Sequence, residues 1–185
     1  MKIRQTAEAV CVVALVFFGC AHVKTAEAHG VMAANLRITT ELVGWSETAA
    51  SFQAFTTVDQ LAGDVGLDGE AYLYSDKGLI EGLYQKLTSR AGYRMELYLL
   101  DFGSDATAAG VFAGVTASQV SDGKSVGTLA RATALSQDNN NSAIFYAHLG
   151  RFFFKLSMTD YGGAFLNATD AALLFFDFYK RKIGI

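Results

Sequence analysis

Apolar residues recur along this chain either at every second position or at helical spacing, and the two periods assign its elements. Residues 93–102, YRMELYLLDF, alternate most clearly. Tyr93, Met95, Leu97 and Leu99 point one way and Arg94, Glu96 and Tyr98 the other, which predicts a strand. Gly103 ends it. Ser104 is placed to cap a following helix, with Asp105 in the first turn where the helix dipole favours negative charge. In that helix Ala106, Ala109, Val111, Phe112 and Val115 form a smooth face, and Gly110 would let helix and sheet approach closely. The run GTLARATALSQ then reads as a strand and DNNNS as a hairpin loop. AIFYAHL and RFFFKLSMT form a second hairpin around Leu149 and Gly150. The closing stretch, NATDAALLFFDFYKRKIG, has the signals of a helix. Asn167 caps it, Ala171, Leu174, Phe175 and Phe178 make its main stripe, Asp177 can pair with Arg181, and Gly184 stops it.

The first half is less regular. LRITTELVGW alternates weakly up to Trp45, and Thr57 can cap a short helix over VDQLAGDVG. GEAYLYSDKGLIEGLYQKL fits either a broken helix or two short strands. Together these elements predict an α+β fold: a mainly antiparallel sheet with two to four helices packed on one face, including the C-terminal helix. The order strand, turn, helix occurs over 93–118 and again over 151–182, without the residue repeat that would establish a duplication.

The N-terminus reads as an export signal. Lys2 and Arg4 precede a twelve-residue apolar run, VCVVALVFFGCA. That is shorter than the roughly 20 residues a membrane span needs, and it suits the core of a secretory signal. Two processing sites compete. The Ala26-Glu27-Ala28 triplet predicts cleavage that leaves His29 first. The alternative is a lipoprotein signal ending at a lipidated Cys20, against which Phe17 and Phe18 depart from the usual lipobox. The expected organisation is a signal peptide over 1–28 and one globular domain over 29–185, in the periplasm or outside the cell, with a lipid anchor to the envelope as the alternative.

Composition narrows the function. At 51% hydrophobic and 18% charged, the chain has the make-up of a packed globule. Its formal net charge is −3; without the three basic and two acidic residues of 1–28, 12 basic and 16 acidic residues remain. With Lys180-Arg181-Lys182 the longest basic run, nucleic acid is not an expected partner. Both cysteines, Cys11 and Cys20, lie in the signal, so the body offers no disulfide, thiol nucleophile or cysteine metal site.

Few residues invite a chemical role. Asp101-Phe102-Gly103-Ser104-Asp105 could be an anion site at a helix N-terminus, or could present Asp101 as an acid. Asp105 stands where a phosphate would sit, which favours a structural joint made by Gly103, Ser104 and Gly110. Asp64, Gly66, Asp68 and Gly69 imitate the start of a calcium loop, but Ser75 replaces the glutamate that should close it. His148 sits in an alternating strand without zinc-ligand spacing. No metal or other cofactor is expected. Asp68, Glu70, Asp76 and Asp101 are the carboxylates that could meet in space.

The segments LDGEAYLYSDKGL, RMELYLLDFGSDATAAGVFA and GRFFFKLS resemble an uncharacterised family of bacterial exported and lipoprotein-type domains. Trp45, Gly69, Glu70, Tyr72, Asp101, Gly103, Ser104, Gly110, Phe112, Gly150 and Phe152 occupy its motif positions. The resemblance implies export and no catalytic residue. The sequence thus points first to a non-enzymatic envelope module that binds a ligand or a partner protein on one sheet face. Its alternatives are a carboxylate-based enzyme using Asp68, Glu70 and Asp101, and a structural envelope protein.

Overall fold

The computed structural model describes residues 33–63, 70–119, 125–126, 129–135, 141–159 and 165–185. Among these, eight strands make one antiparallel sheet: β1 (Trp45–Glu47), β2 (Gln53–Phe55), β3 (Glu81–Ser89), β4 (Arg94–Asp101), β5 (Ser125–Val126), β6 (Leu129–Leu135), β7 (Asn141–Leu149) and β8 (Phe152–Thr159). Their order is β1-β3-β4-β8-β7-β6-β5, with β2 also pairing β3. Three α-helices accompany them, α1 (Val58–Gly63), α2 (Asp105–Gln119) and α3 (Phe165–Ile183), together with 3-10 turns at Ala33–Leu36 and Ala71–Leu73. The α+β class, the antiparallel sheet and the terminal helix are as the sequence predicts. The ambiguous stretch resolves into the second 3-10 turn followed by β3.

The helices do not share one face. Phe175, Phe176 and Tyr179 of α3 pack with Leu97, Leu99 and Phe154 on one side of the sheet. Ala108, Val111 and Val115 of α2 pack with Leu100, Tyr146 and Phe153 on the other, with Leu61 of α1. The reason lies in the strands. β8 is buried from Phe152 through Leu156 and β4 from Leu97 through Asp101, so apart from Lys155 and Asp101 both faces are apolar there and both need cover. A strand followed by a helix does occur twice, but α2 and α3 take opposite faces.

On the α3 side the N-terminal segment closes the core. Gln85, fully buried, accepts the Ile38 N–H at 3.0 Å and donates to the Ile38 carbonyl, so the segment is held almost as a strand would be. The Tyr179 hydroxyl donates to the Leu36 carbonyl at 3.1 Å and Lys182 to that of Arg37 at 2.8 Å. The buried stripe of α3 runs through Ala168, Ala172, Phe175, Phe176 and Tyr179, rotated from the predicted one so that Leu174 is 41% exposed. The helix begins at Phe165, before Asn167, so Asn167 is not its cap. Asp177 pairs with Lys180 at 3.9 Å, and the Gly184 N–H bonds back to the Lys180 carbonyl at 3.0 Å.

Candidate functional site

Strands β3, β4, β8 and β7 pair in phase, so residues of one face line up in rungs across the sheet. On the α2 side these are Thr88–Arg94–Thr159, then Lys86–Glu96–Ser157–Ile144, then Tyr84–Tyr98–Lys155–Tyr146, then Gly82–Leu100–Phe153–His148. Polarity falls steadily from the first rung to the last. α2 covers the apolar end. Phe55 of β2 lies over Gly82, where a Cβ would come within 2.5 Å of its ring, so only glycine fits.

Among the described residues, the first two rungs are not covered in this way. They border a concavity of about 610 Å³ lined by Thr48, Lys86, Leu87, Thr88, Arg94, Met95, Glu96, Ser157 and Thr159. That volume lies within the range of small-molecule sites, about 300–1,000 Å³. Lys86 Nζ sits 3.2 Å from Glu96 Oε1, both side chains partly exposed. The nearby Tyr84 hydroxyl and the Glu96 carboxylate raise the lysine pKa above its ordinary value. Thr48 and Thr88 share a hydroxyl hydrogen bond of 3.2 Å. The floor therefore offers cationic, anionic and hydroxyl groups within one basin.

The third rung is the boundary between the basin and the core. Lys155, 6% exposed, donates to Glu70 Oε1 at 2.5 Å. Tyr146 donates to the same oxygen at 3.4 Å, and Tyr74 donates to Glu70 Oε2 at 3.2 Å. Tyr98 donates outward to Glu96 at 3.4 Å and so joins this rung to the basin. Burial, reinforced by nearby Glu70 or Glu96, raises the pKa of Tyr74, Tyr98 and Tyr146 well above the ordinary phenol value. These hydroxyls stay protonated and act as donors.

Asp101 lies elsewhere. It stands three residues beyond Tyr98 on β4, on the other face of the sheet, and is fully buried. Its Oδ1 accepts the Gly103 N–H at 2.8 Å, and its Oδ2 accepts from Arg151 at 2.5 Å. Gly103 makes the turn at φ +75°, and Ser104 Oγ accepts the Thr107 N–H at 3.1 Å. Glu70 and Asp101 are thus not brought together; each is held by its own cation. Asp68, Gly69 and Cys20 lie outside the described residues.

Gly110 does not make the joint assigned to it. It is exposed, and a Cβ there would meet nothing within 4 Å. The face of α2 that meets the sheet runs through Ala108, Val111 and Val115 instead. Small residues surround this helix, so the sequence shows no stripe to identify the packed side. His148 is half-buried beside the Phe112 ring at 5.3 Å, with Nδ1 3.7 Å from Asp105. Among the described residues, no group of three or more His, Cys, Asp or Glu could hold a metal ion.

Lys155, Tyr146, Lys86 and Glu96 stand in no motif that marks them as functional. One signal was present: Lys155 interrupts the apolar run Phe152–Leu156, and a lysine is almost never buried without a partner.

No protein-family model matches the chain, and no curated protein matches it. Among solved structures, the extracellular domain of PknH from Mycobacterium tuberculosis aligns at a TM-score of 0.39 and 9% identity, over 76% of this chain and 81% of that one. At that overlap no property of that domain is carried over. Among the described residues, no helix is long and apolar enough to cross a membrane.

Proposed function

We propose that the chain is an exported, non-enzymatic binding module of the bacterial envelope that holds a small polar ligand in the basin over the first two rungs. One observation carries this reading. A single sheet face is apolar and sealed by α2 at one end, yet concave at the other, where paired charges and hydroxyls line it together with Leu87 and Met95. Export rests on the signal-like leader and periplasmic or cell-surface placement follows from it, with Cys20 lipidation as the tethered form. A carboxylate enzyme is less well supported, because Glu70 and Asp101 lie on opposite faces and each is neutralised.

Small-molecule extracts of the host envelope should be passed over immobilised protein and over a Lys86→Ala/Glu96→Ala variant. Compounds retained by the wild type alone support the basin. Identical retention by both contradicts it and shifts weight to a protein partner or a structural role.

A further inference from the structure

Lys155 poses a problem that stability alone does not answer. It projects from a central strand among Tyr98, Tyr146 and Phe153, in an otherwise apolar cluster, and among the described residues its ion pair is with Glu70. Desolvating both charges offsets most of their attraction, so an apolar pair of similar volume would stabilise the fold as well or better. What the arrangement does provide is a rigid set of donors. Lys155 and Tyr146 sit opposite each other in the sheet, and both reach one carboxylate oxygen.

The group that fills this set is not part of the sheet. Glu70 lies just before the 3-10 turn Ala71–Leu73, in a segment that returns to the sheet only at Glu81. That segment is anchored by buried Tyr74 against Phe153, at 5.7 Å between ring centroids, while Tyr72 and Ile80 are 63% and 52% exposed. Asp76 within it adopts φ +57°, a left-handed conformation that aspartate takes more readily than most non-glycine residues. The receptor also adjoins the basin. Ser157 follows Lys155 by two residues on the same face of β8, a step of about 7 Å.

We propose that Lys155 and Tyr146 form a carboxylate receptor, that Glu70 fills it as a tethered ligand, and that a molecule in the basin anchors there by a carboxylate of its own in Glu70's place. The last part rests on the basin as the binding site; the receptor itself does not. The ligand class is therefore a carboxylate-bearing small molecule, either an organic acid or a peptide C-terminus.

The test is chemical rescue. Glu70→Ala leaves Lys155 buried and unpaired and should lower Tm by roughly 10 °C. Acetate should restore at least half of that loss and saturate, whereas chloride at equal ionic strength and acetamide should not. If Glu70→Ala folds only in acetate, that is the same result in stronger form. Glu70→Gln, which keeps the side-chain volume, is the second variant, and acetate should raise its Tm more than that of the wild type. Adding Lys155→Met should abolish the response in either background. Adding Lys86→Ala should leave it intact, so a failed basin and a failed receptor give different results. Acetate and tri-alanine compared at equal concentration separate a small acid from a peptide terminus. A folded Glu70→Gln protein indifferent to both would overturn the receptor.

Discussion

On the face under α3, Leu83, Leu87, Met95 and Leu99 are buried, Gln85 between them is held by its hydrogen bonds to Ile38, and the N-terminal segment and α3 cover them. On the opposite face the same strands run from Leu100 through Tyr98 to Glu96 and Arg94, and the α2 cover gives way to an open basin. The difference comes from one alternation read with two endings. One set is apolar apart from the buried Gln85 and calls for a complete lid. The other becomes polar halfway and needs only half of one. The first face should carry most of the stability, and the second should carry the binding.

Mutations can break that contrast. The largest effect is expected at Phe175, fully buried and edge-on to Trp45 at 4.9 Å. Phe175→Ala should cost about 3–5 kcal/mol in denaturant unfolding. A loss below about 1 kcal/mol would mean that the α3 face is not the main core.

Gly103 in the strand–helix turn and Gly110 on the open side of α2 should respond in opposite directions. Gly103→Ala introduces a Cβ at φ +75° and 2.7 Å from Ile80 Cδ1. It should destabilise by about 1–2 kcal/mol from the backbone alone. Gly110→Ala, on the open side of α2, should stabilise by up to about 1 kcal/mol. If both variants lose stability in thermal melts, Gly110 packs after all.

A smaller effect is expected at Glu41, which helps fasten the N-terminal segment to the end of α3. Its carboxylate accepts the Thr39 N–H at 2.7 Å and the Thr40 N–H at 3.0 Å, and it pairs with Lys182 at 3.0 Å. Led by the Thr39 hydrogen bond, these contacts lower its pKa from 4.5 to about 2. Because the folded value is depressed, the stabilisation is present above pH 4.5 and is lost as pH falls towards 2. The Tm gap between wild type and Glu41→Gln should therefore be open at pH 7 and nearly closed near pH 2. A gap of equal size at both would contradict the assignment. Glu41 is about half exposed, so the gap should be modest.

The smallest effect on stability is expected in the basin. Lys86→Ala should change unfolding by no more than about 0.5 kcal/mol, because its ion pair with Glu96 is half exposed. A loss as large as that of Phe175→Ala would erase the distinction between the faces.

Much of the fold was legible because β4, the second hairpin and α3 obey simple periods. The α2 face was harder to see. The runs FFFKL and YLLD are apolar at consecutive positions, which is the mark of strands covered on both sides, and α2 lacks a stripe to show which side it covers. Glu70 and Asp101 stood out as carboxylates, but no local pattern shows that 85 residues separate Glu70 from its lysine partner. The basin was illegible for the same reason. It exists only through the register that sets Lys86 against Glu96 and Glu96 against Ser157.

The most direct measurement of the binding claim is the intact mass of the protein recovered from its own host envelope, native and then denatured. The account predicts extra mass in the native spectrum that disappears on denaturation, and that is absent from Lys86→Ala/Glu96→Ala protein prepared in parallel. A native mass equal to that of the bare chain would contradict a ligand-holding basin.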